Sequence, residues 1–96
     1  MIEMLIRLKV AEGKVEEFEA LVAGLVADIY ANEPDPKLYA VRKVAGAPRT
    51  YVYFISFTDK DAYDRYVNAP YHKQVAPPIM ACLDGDPVYE TLEGFY

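Results

Sequence analysis

The chain contains no tryptophan, one cysteine and one histidine among its 96 residues. Each scarcity excludes something. A single cysteine, Cys82, cannot close an internal disulfide, which fits a reducing compartment. One histidine and one cysteine cannot build a zinc site of the usual kind. Asp84 and Asp86 flank Gly85, but the full spacing of a calcium loop is missing, so this segment reads as a turn. No glycine-rich phosphate loop occurs. Neither a metal nor a cofactor is therefore expected. No apolar run approaches the roughly 20 residues that span a bilayer. The first residues, Met1 to Arg7, lack the basic-then-apolar layout of a signal peptide. Basic residues number 10 against 15 acidic ones, a net charge of −5. That sign disfavours nucleic acid and gives no reason to expect anionic lipid. A soluble cytoplasmic protein, bound to neither nucleic acid nor membrane, is the expectation.

What the chain has is apolar and aromatic: 53% hydrophobic residues and nine tyrosines. Disorder is excluded by that composition. Its length points to one domain over residues 1–96 with a thin core. Ile2, Met4, Ile6, Leu8 and Val10 alternate with Glu3, Leu5, Arg7 and Lys9, which predicts a strand. Val15, Phe18, Leu21, Val22, Leu25, Val26 and Ile29 follow helical spacing, ending at Asn32-Glu33-Pro34. Leu38–Val44 and Thr50–Phe57 read as a second and third strand joined by a hairpin-length turn. The third is apolar on both faces and is expected at the centre of the sheet. Thr58 or Asp59 caps a helix running to about Val67. Pro70 interrupts it, a further helical piece runs from Tyr71 to about Leu83, and Val88–Leu92 is a last strand.

The order β-α-β-β-α-β is that of an α+β ferredoxin-like plait: an antiparallel sheet with its helices on one face. The other face is expected to carry Leu5, Tyr39, Val41 and either the tyrosine row or the Val52/Phe54 row of the third strand. So much apolar surface calls for a cover. A homodimer packed sheet to sheet is the expected one.

Candidate chemistry gathers at Tyr63-Asp64-Arg65-Tyr66-Val67-Asn68-Ala69-Pro70-Tyr71-His72. Histidine titrates near neutral pH, so His72 is either an acid/base group at a pocket mouth or a helix-end surface residue beside Lys73. Tyr39, Tyr51, Tyr53, Tyr63, Tyr66 and Tyr71 suit stacking on a flat ring while a hydroxyl fixes its orientation, or simple packing. Arg42 and Arg65 suit a phenolate or carboxylate, although Arg65 also sits four residues after Asp61. Asn68 suits either a substrate oxygen or a helix end. Cys82 reads as a small buried residue.

Three segments carry a family resemblance. Val10-Ala11-Glu12-Gly13-Lys14 with Phe18 resembles the approach to the first helix of the antibiotic biosynthesis monooxygenases. Asn32-Glu33-Pro34 with Leu38-Tyr39 resembles that helix's exit, and Phe57-Thr58-Asp59 through Ala62, then Ala69-Pro70-Tyr71-His72, resembles the second-helix region. Tyr66 with His72 is also similar to a pair in the stress-responsive dimeric α/β-barrel proteins. The resemblance implies a dimeric α/β barrel with a pocket between sheet and helices, and oxygenation of a small quinol or polyphenol-type aromatic without metal or flavin. His72 and Tyr66 are the catalytic candidates, with Tyr39, Tyr53, Tyr63, Asn68 and Arg42 toward the substrate. Tyr66 stands where many members have histidine, and Ile55 where many have an acid. Non-enzymatic binding of a small ligand is the alternative. Heme binding or degradation is a third reading, for which Ile6 stands where an asparagine would precede Arg7.

Overall fold

The computed structural model describes residues 1–95; Tyr96, the last residue of the expected domain, lies outside them. Seven elements follow the expected order: β1 (Ile2–Lys9), α1 (Val15–Asn32), β2 (Lys37–Lys43), β3 (Thr50–Phe57), α2 (Lys60–Asn68), α3 (Pro70–Ala81) and β4 (Val88–Leu92). The strands form one sheet in the order β2-β3-β1-β4, with every neighbouring pair antiparallel. This is the α+β ferredoxin-like fold.

Strand β3 sits at the centre because both its faces are apolar. Tyr51, Tyr53, Ile55 and Phe57 point toward the helices and are buried; Val52 and Phe54 point the other way and are half-buried. Register fixes what joins each face. Tyr53 pairs with Ile6 on one side and Val41 on the other, and Ile55 pairs with Met4 and Tyr39. Tyr39 and Val41 therefore lie on the helix side, not on the uncovered face expected for them. Both rows of β2 are apolar, so alternation alone does not say which turns inward; pairing with Ile55 and Tyr53 does. The uncovered face carries Leu5, Leu38, Ala40, Val52 and Phe54 instead, with Leu5, Phe54 and Ala40 side by side across three strands.

Helix α1 lies on the inner face through Phe18, Val22, Leu25 and Ile29, spaced by three and four residues. Burying side chains of this size contributes about 1.5–3 kcal/mol each. Gly13 supplies the turn before the helix with a φ of 84°, where any side chain would be strained. After α3 the chain is tied back to the end of β1: Ala11 N–H donates to the Cys82 carbonyl at 2.8 Å and Asp84 N–H to the Lys9 carbonyl at 2.8 Å. Cys82 is fully buried beneath this tie.

The second helical region forms as two helices. Asp59 caps α2, its carboxylate accepting from the Ala62 N–H at 2.9 Å. Asp59→Ala is expected to cost about 1 kcal/mol, a typical value for a lost cap. In a domain of this size that lowers the melting temperature by roughly 4–8 °C, measurable by calorimetry. Ala69 is extended, with φ −63° and ψ 140°, because Pro70 disfavours a helical conformation before it. Pro70 then opens α3, where its missing N–H is no loss. Pro77 and Pro78 stand on the exposed side of α3, and the helix runs through them.

Candidate functional site

The break at Ala69-Pro70 has a chemical consequence. In a continuous helix the Val67 carbonyl would accept from an N–H four residues on. Pro70 redirects the chain and leaves carbonyls at the end of α2 in want of donors. His72, in the first turn of α3, lies with its Nδ1 3.0 Å from the Val67 oxygen. A carbonyl only accepts, so Nδ1 carries the proton and Nε2 keeps its lone pair. Burial lowers the His72 pKa, a shift the Val67 hydrogen bond partly opposes. At neutral pH the ring is an oriented, uncharged base. The sequence offered no orienting partner for His72; the structure supplies a backbone carbonyl.

His72 lines a cavity of about 330 Å³ between the sheet and the helices. Ile6, Leu8 and Ile55 form its sheet side, and Leu25, Val67, Ala76 and Ile79 its helical side. Tyr39, Tyr53, Tyr63 and Tyr66 make one aromatic wall. Their rings meet edge-on or tilted: Tyr39 to Tyr66 at 5.6 Å, Tyr39 to Tyr53 at 6.0 Å and Tyr63 to Tyr66 at 6.2 Å between centroids. Phe57 stacks behind Tyr66 at 5.2 Å, and the His72 ring meets Tyr66 edge-on at 4.6 Å. No Asp, Glu, Lys or Arg is among the described residues that line this cavity.

The wall's hydroxyls differ. Tyr39 and Tyr66 share a hydrogen bond of 2.8 Å. Burial, then Tyr66, holds the Tyr39 proton well above the usual range. Burial also raises Tyr66, but the hydrogen bond with Tyr39 works against it. Either hydroxyl of this pair can be the donor. Tyr53 is 5% exposed, and its hydroxyl has no hydrogen-bond partner among the described residues. A buried hydroxyl without a partner costs about 1–3 kcal/mol.

Five of the sequence-derived candidates therefore converge with His72 or beside it: Tyr39, Tyr53, Tyr63, Tyr66 and His72 itself. The others do not. Asn68 is exposed and donates to the Asp64 carbonyl at 2.8 Å, bracing the end of α2. Arg42 is exposed, alternates to the opposite face of β2 from Tyr39, and donates to the Val41 carbonyl at 3.0 Å. Neither reaches the cavity, because one period of alternation or one helical step turns it away. Arg65 pairs with Asp35. Tyr51 donates to Glu19 at 2.5 Å and is pushed up to about 12, first by burial and then by that carboxylate. Tyr71 donates to Glu33 at 2.5 Å. These two tyrosines anchor helices and loops and do not line the cavity.

Sequence reasoning missed Tyr89 and Met80, which line the cavity while remaining about half exposed. Tyr89 sits opposite Ile6 in the β1–β4 ladder. Five residues of β4 hold too little alternation to mark its inward row. Cys82 Sγ lies 3.3 Å from a Glu17 oxygen, and burial, then that carboxylate, raises the thiol pKa. This makes a thiol with little nucleophilic character. Among the described residues, no cluster of three His, Cys, Asp or Glu could hold a metal, and no helix is long and apolar enough to cross a membrane.

Comparison with solved structures gives the same fold at full length. A Caulobacter crescentus protein, provisionally described as an antibiotic biosynthesis monooxygenase, is 26% identical, with a TM-score of 0.91 over 99% of this chain and 90% of its own. A conserved protein of Methanosarcina mazei is 21% identical, with a TM-score of 0.86 over 95% of this chain and 89% of its own. SnoaB from Streptomyces nogalater, a cofactor-independent oxygenase, is 20% identical, with a TM-score of 0.80 over 97% of this chain and 91% of its own. At the identities of the last two, the likeness speaks for the fold alone. A comparison with curated protein sequences returns no match. The family model described as antibiotic biosynthesis monooxygenase matches residues 1–77, more than three quarters of the sequence, and the chain belongs to that family.

Proposed function

We propose that this protein is a cofactor-independent monooxygenase of a small, electron-rich aromatic such as a quinol, and that it works as a homodimer. The observation that carries the reading is His72: a neutral base with its tautomer set by the Val67 carbonyl, facing an apolar cavity walled by tyrosines. Family membership and the fold shared with SnoaB support it.

The chemistry asks little of the protein. Nε2 of His72 takes the proton of a ring hydroxyl. The resulting anion passes one electron to O₂, and the substrate radical and superoxide combine to form a carbon–oxygen bond at a ring carbon. The peroxide regains a proton from His72. It then loses water as that carbon gives up its hydrogen and becomes a carbonyl, so one oxygen atom enters the product and the other leaves in water. A dry cavity favours these steps by replacing solvent with fixed dipoles aimed at the anion. The hydroxyl pair of Tyr39 and Tyr66 would offer one free proton to the substrate, and the Tyr63 ring would pack against it. An oxygen electrode tests this with a panel of uncharged quinols and no added metal or flavin. Uptake above the buffer rate, one O₂ per product, is expected; background uptake for every quinol contradicts it.

One observation favours a second reading, binding without turnover. Ile55 lines the cavity, so no acid from that position can assist His72. This reading keeps ligand binding and abolishes oxygen uptake.

The homodimer rests on the uncovered sheet face, where Leu5, Phe54 and Ala40 adjoin in register. A second copy covering this face would enclose a barrel between two sheets, leaving each cavity on its outer, helical side.

A further inference from the structure

Three methionines stand in the chain, and their settings differ. Met1 is exposed, and Met4 packs half-buried against the core from β1. Met80, on the last turn of α3, is the one that lines the cavity, and about half of it remains exposed. A residue that both lines a cavity and meets solvent stands at its mouth. Tyr89, the other half-exposed lining residue, and Pro87 border the same mouth from β4 and the turn before it. A thioether in that position is open to oxidants in water. The thiol that would compete for them is out of reach: Cys82 is fully buried, and burial, then Glu17, raises its pKa. The proposed sheet-to-sheet dimer leaves the helical side uncovered, so Met80 stays accessible there too.

We infer that Met80 is a modification site: a hydroperoxide converts its thioether to the sulfoxide, and the sulfoxide weakens ligand binding in the cavity behind it. In this step a sulfur lone pair attacks the outer oxygen of the hydroperoxide. The O–O bond breaks and an S–O bond forms. Sulfur is oxidised by two electrons, and the leaving oxygen takes the proton and departs as an alcohol, or as water from hydrogen peroxide. The product is polar where the parent was apolar. With the cavity empty, the new oxygen is hydrated. A ligand packed against Met80 strips that water away beside Ala76 and Ile79. The cost therefore falls on the bound state and not on folding. The inference rests on reading the cavity as the ligand site, not on the oxygenation chemistry.

The test follows methionine state and binding on the same samples. The protein is treated with tert-butyl hydroperoxide, freed of it, mapped by peptide mass spectrometry and titrated with 1-naphthol by calorimetry without oxygen. Met80 and Met1 are expected to gain one oxygen each while Met4 lags. Affinity for 1-naphthol should fall about fivefold or more, the scale of stripping water from one polar group, and the loss should track Met80 over time. Methionine sulfoxide reductases, one for each epimer, should reverse it. In Met80→Leu, a swap that nearly conserves volume, affinity before and after treatment should be the same. The inference is overturned if Met80 stays reduced while Met1 is converted, if complete Met80 sulfoxide leaves affinity unchanged, if the reductases return Met80 without returning affinity, or if Met80→Leu loses affinity as the wild-type protein does. Binding that survives oxidation overturns this inference alone; an untreated protein that does not bind 1-naphthol sinks it together with the cavity reading. Oxygen uptake with quinols, measured separately, judges the oxygenase.

Discussion

Replacing His72 by alanine is expected to lower the proposed quinol-dependent oxygen uptake by roughly 10²- to 10⁴-fold, the range over which a positioned general base acts. The expectation follows from the break at Pro70. That break leaves the Val67 carbonyl to the His72 ring, the carbonyl fixes the proton on Nδ1, and Nε2 is left as the basic nitrogen of a residue that lines the cavity. Substrate affinity should change much less than turnover, because the walls that hold the ring are tyrosines on other turns and strands. The pH dependence has a definite sign. Burial lowers the His72 pKa from 6.5, so the base is lost only when pH falls below that value. Wild-type activity should therefore be flat near neutrality and decline on an acidic limb lying below 6.5. Stability should follow in the same window. The unfolded chain takes up the His72 proton at a higher pH than the folded one, so stability falls as pH drops below 6.5 and levels off beneath the folded value. Initial rates and melting temperatures between about pH 5 and 8 measure both limbs. An alanine variant with wild-type rates across that range would remove His72 from the mechanism.

Phe54→Glu is expected to dissociate the proposed dimer, weakening self-association by about a thousandfold or more. Phe54 is half-buried in one chain and has Leu5 and Ala40 as its cross-strand neighbours on the uncovered face. A two-fold axis presents the same patch from both subunits, so one substitution introduces two carboxylates into one interface. A buried, unpaired charge costs several kcal/mol, and each 1.4 kcal/mol is about tenfold in affinity. In the isolated chain the same position faces away from the core, so folding survives and circular dichroism should change little. Sedimentation equilibrium would read twice 10.9 kDa for the wild-type protein and 10.9 kDa for the variant. A wild-type protein that sediments as a monomer at micromolar concentration contradicts the dimer outright.

Local periodicity carried most of the fold. The bounds of β3 and β4 follow from runs of β-branched and aromatic residues between turn signals, and the sequence narrows the cap to Thr58 or Asp59, of which the structure takes Asp59. Facing was harder. Strand β2 is apolar on both rows, so only its pairing with β3 turns Tyr39 and Val41 inward and Arg42 outward. The same limit applies to the site. Residue type could nominate His72 and the tyrosines, but six tyrosines look alike in a sequence. What separates them is the partner each hydroxyl finds: Glu19 for Tyr51, Glu33 for Tyr71, one another for Tyr39 and Tyr66, and none for Tyr53. Those partners are 27 to 38 residues away along the chain, beyond the reach of any local pattern. Asn68 was ambiguous between ligand and helix end for the opposite reason: its partner, the Asp64 carbonyl, is one helical turn away.

The central claim is that the cavity between sheet and helices is where the ligand sits, against the tyrosines and His72 that line it. A crystal structure of the protein with a neutral phenol such as 1-naphthol, grown without oxygen, tests it most directly. The ring should lie against Tyr39, Tyr63 and Tyr66, with its oxygen toward the His72 Nε2. A ligand seated on the outer sheet face, or an empty cavity at saturating 1-naphthol, would contradict the account.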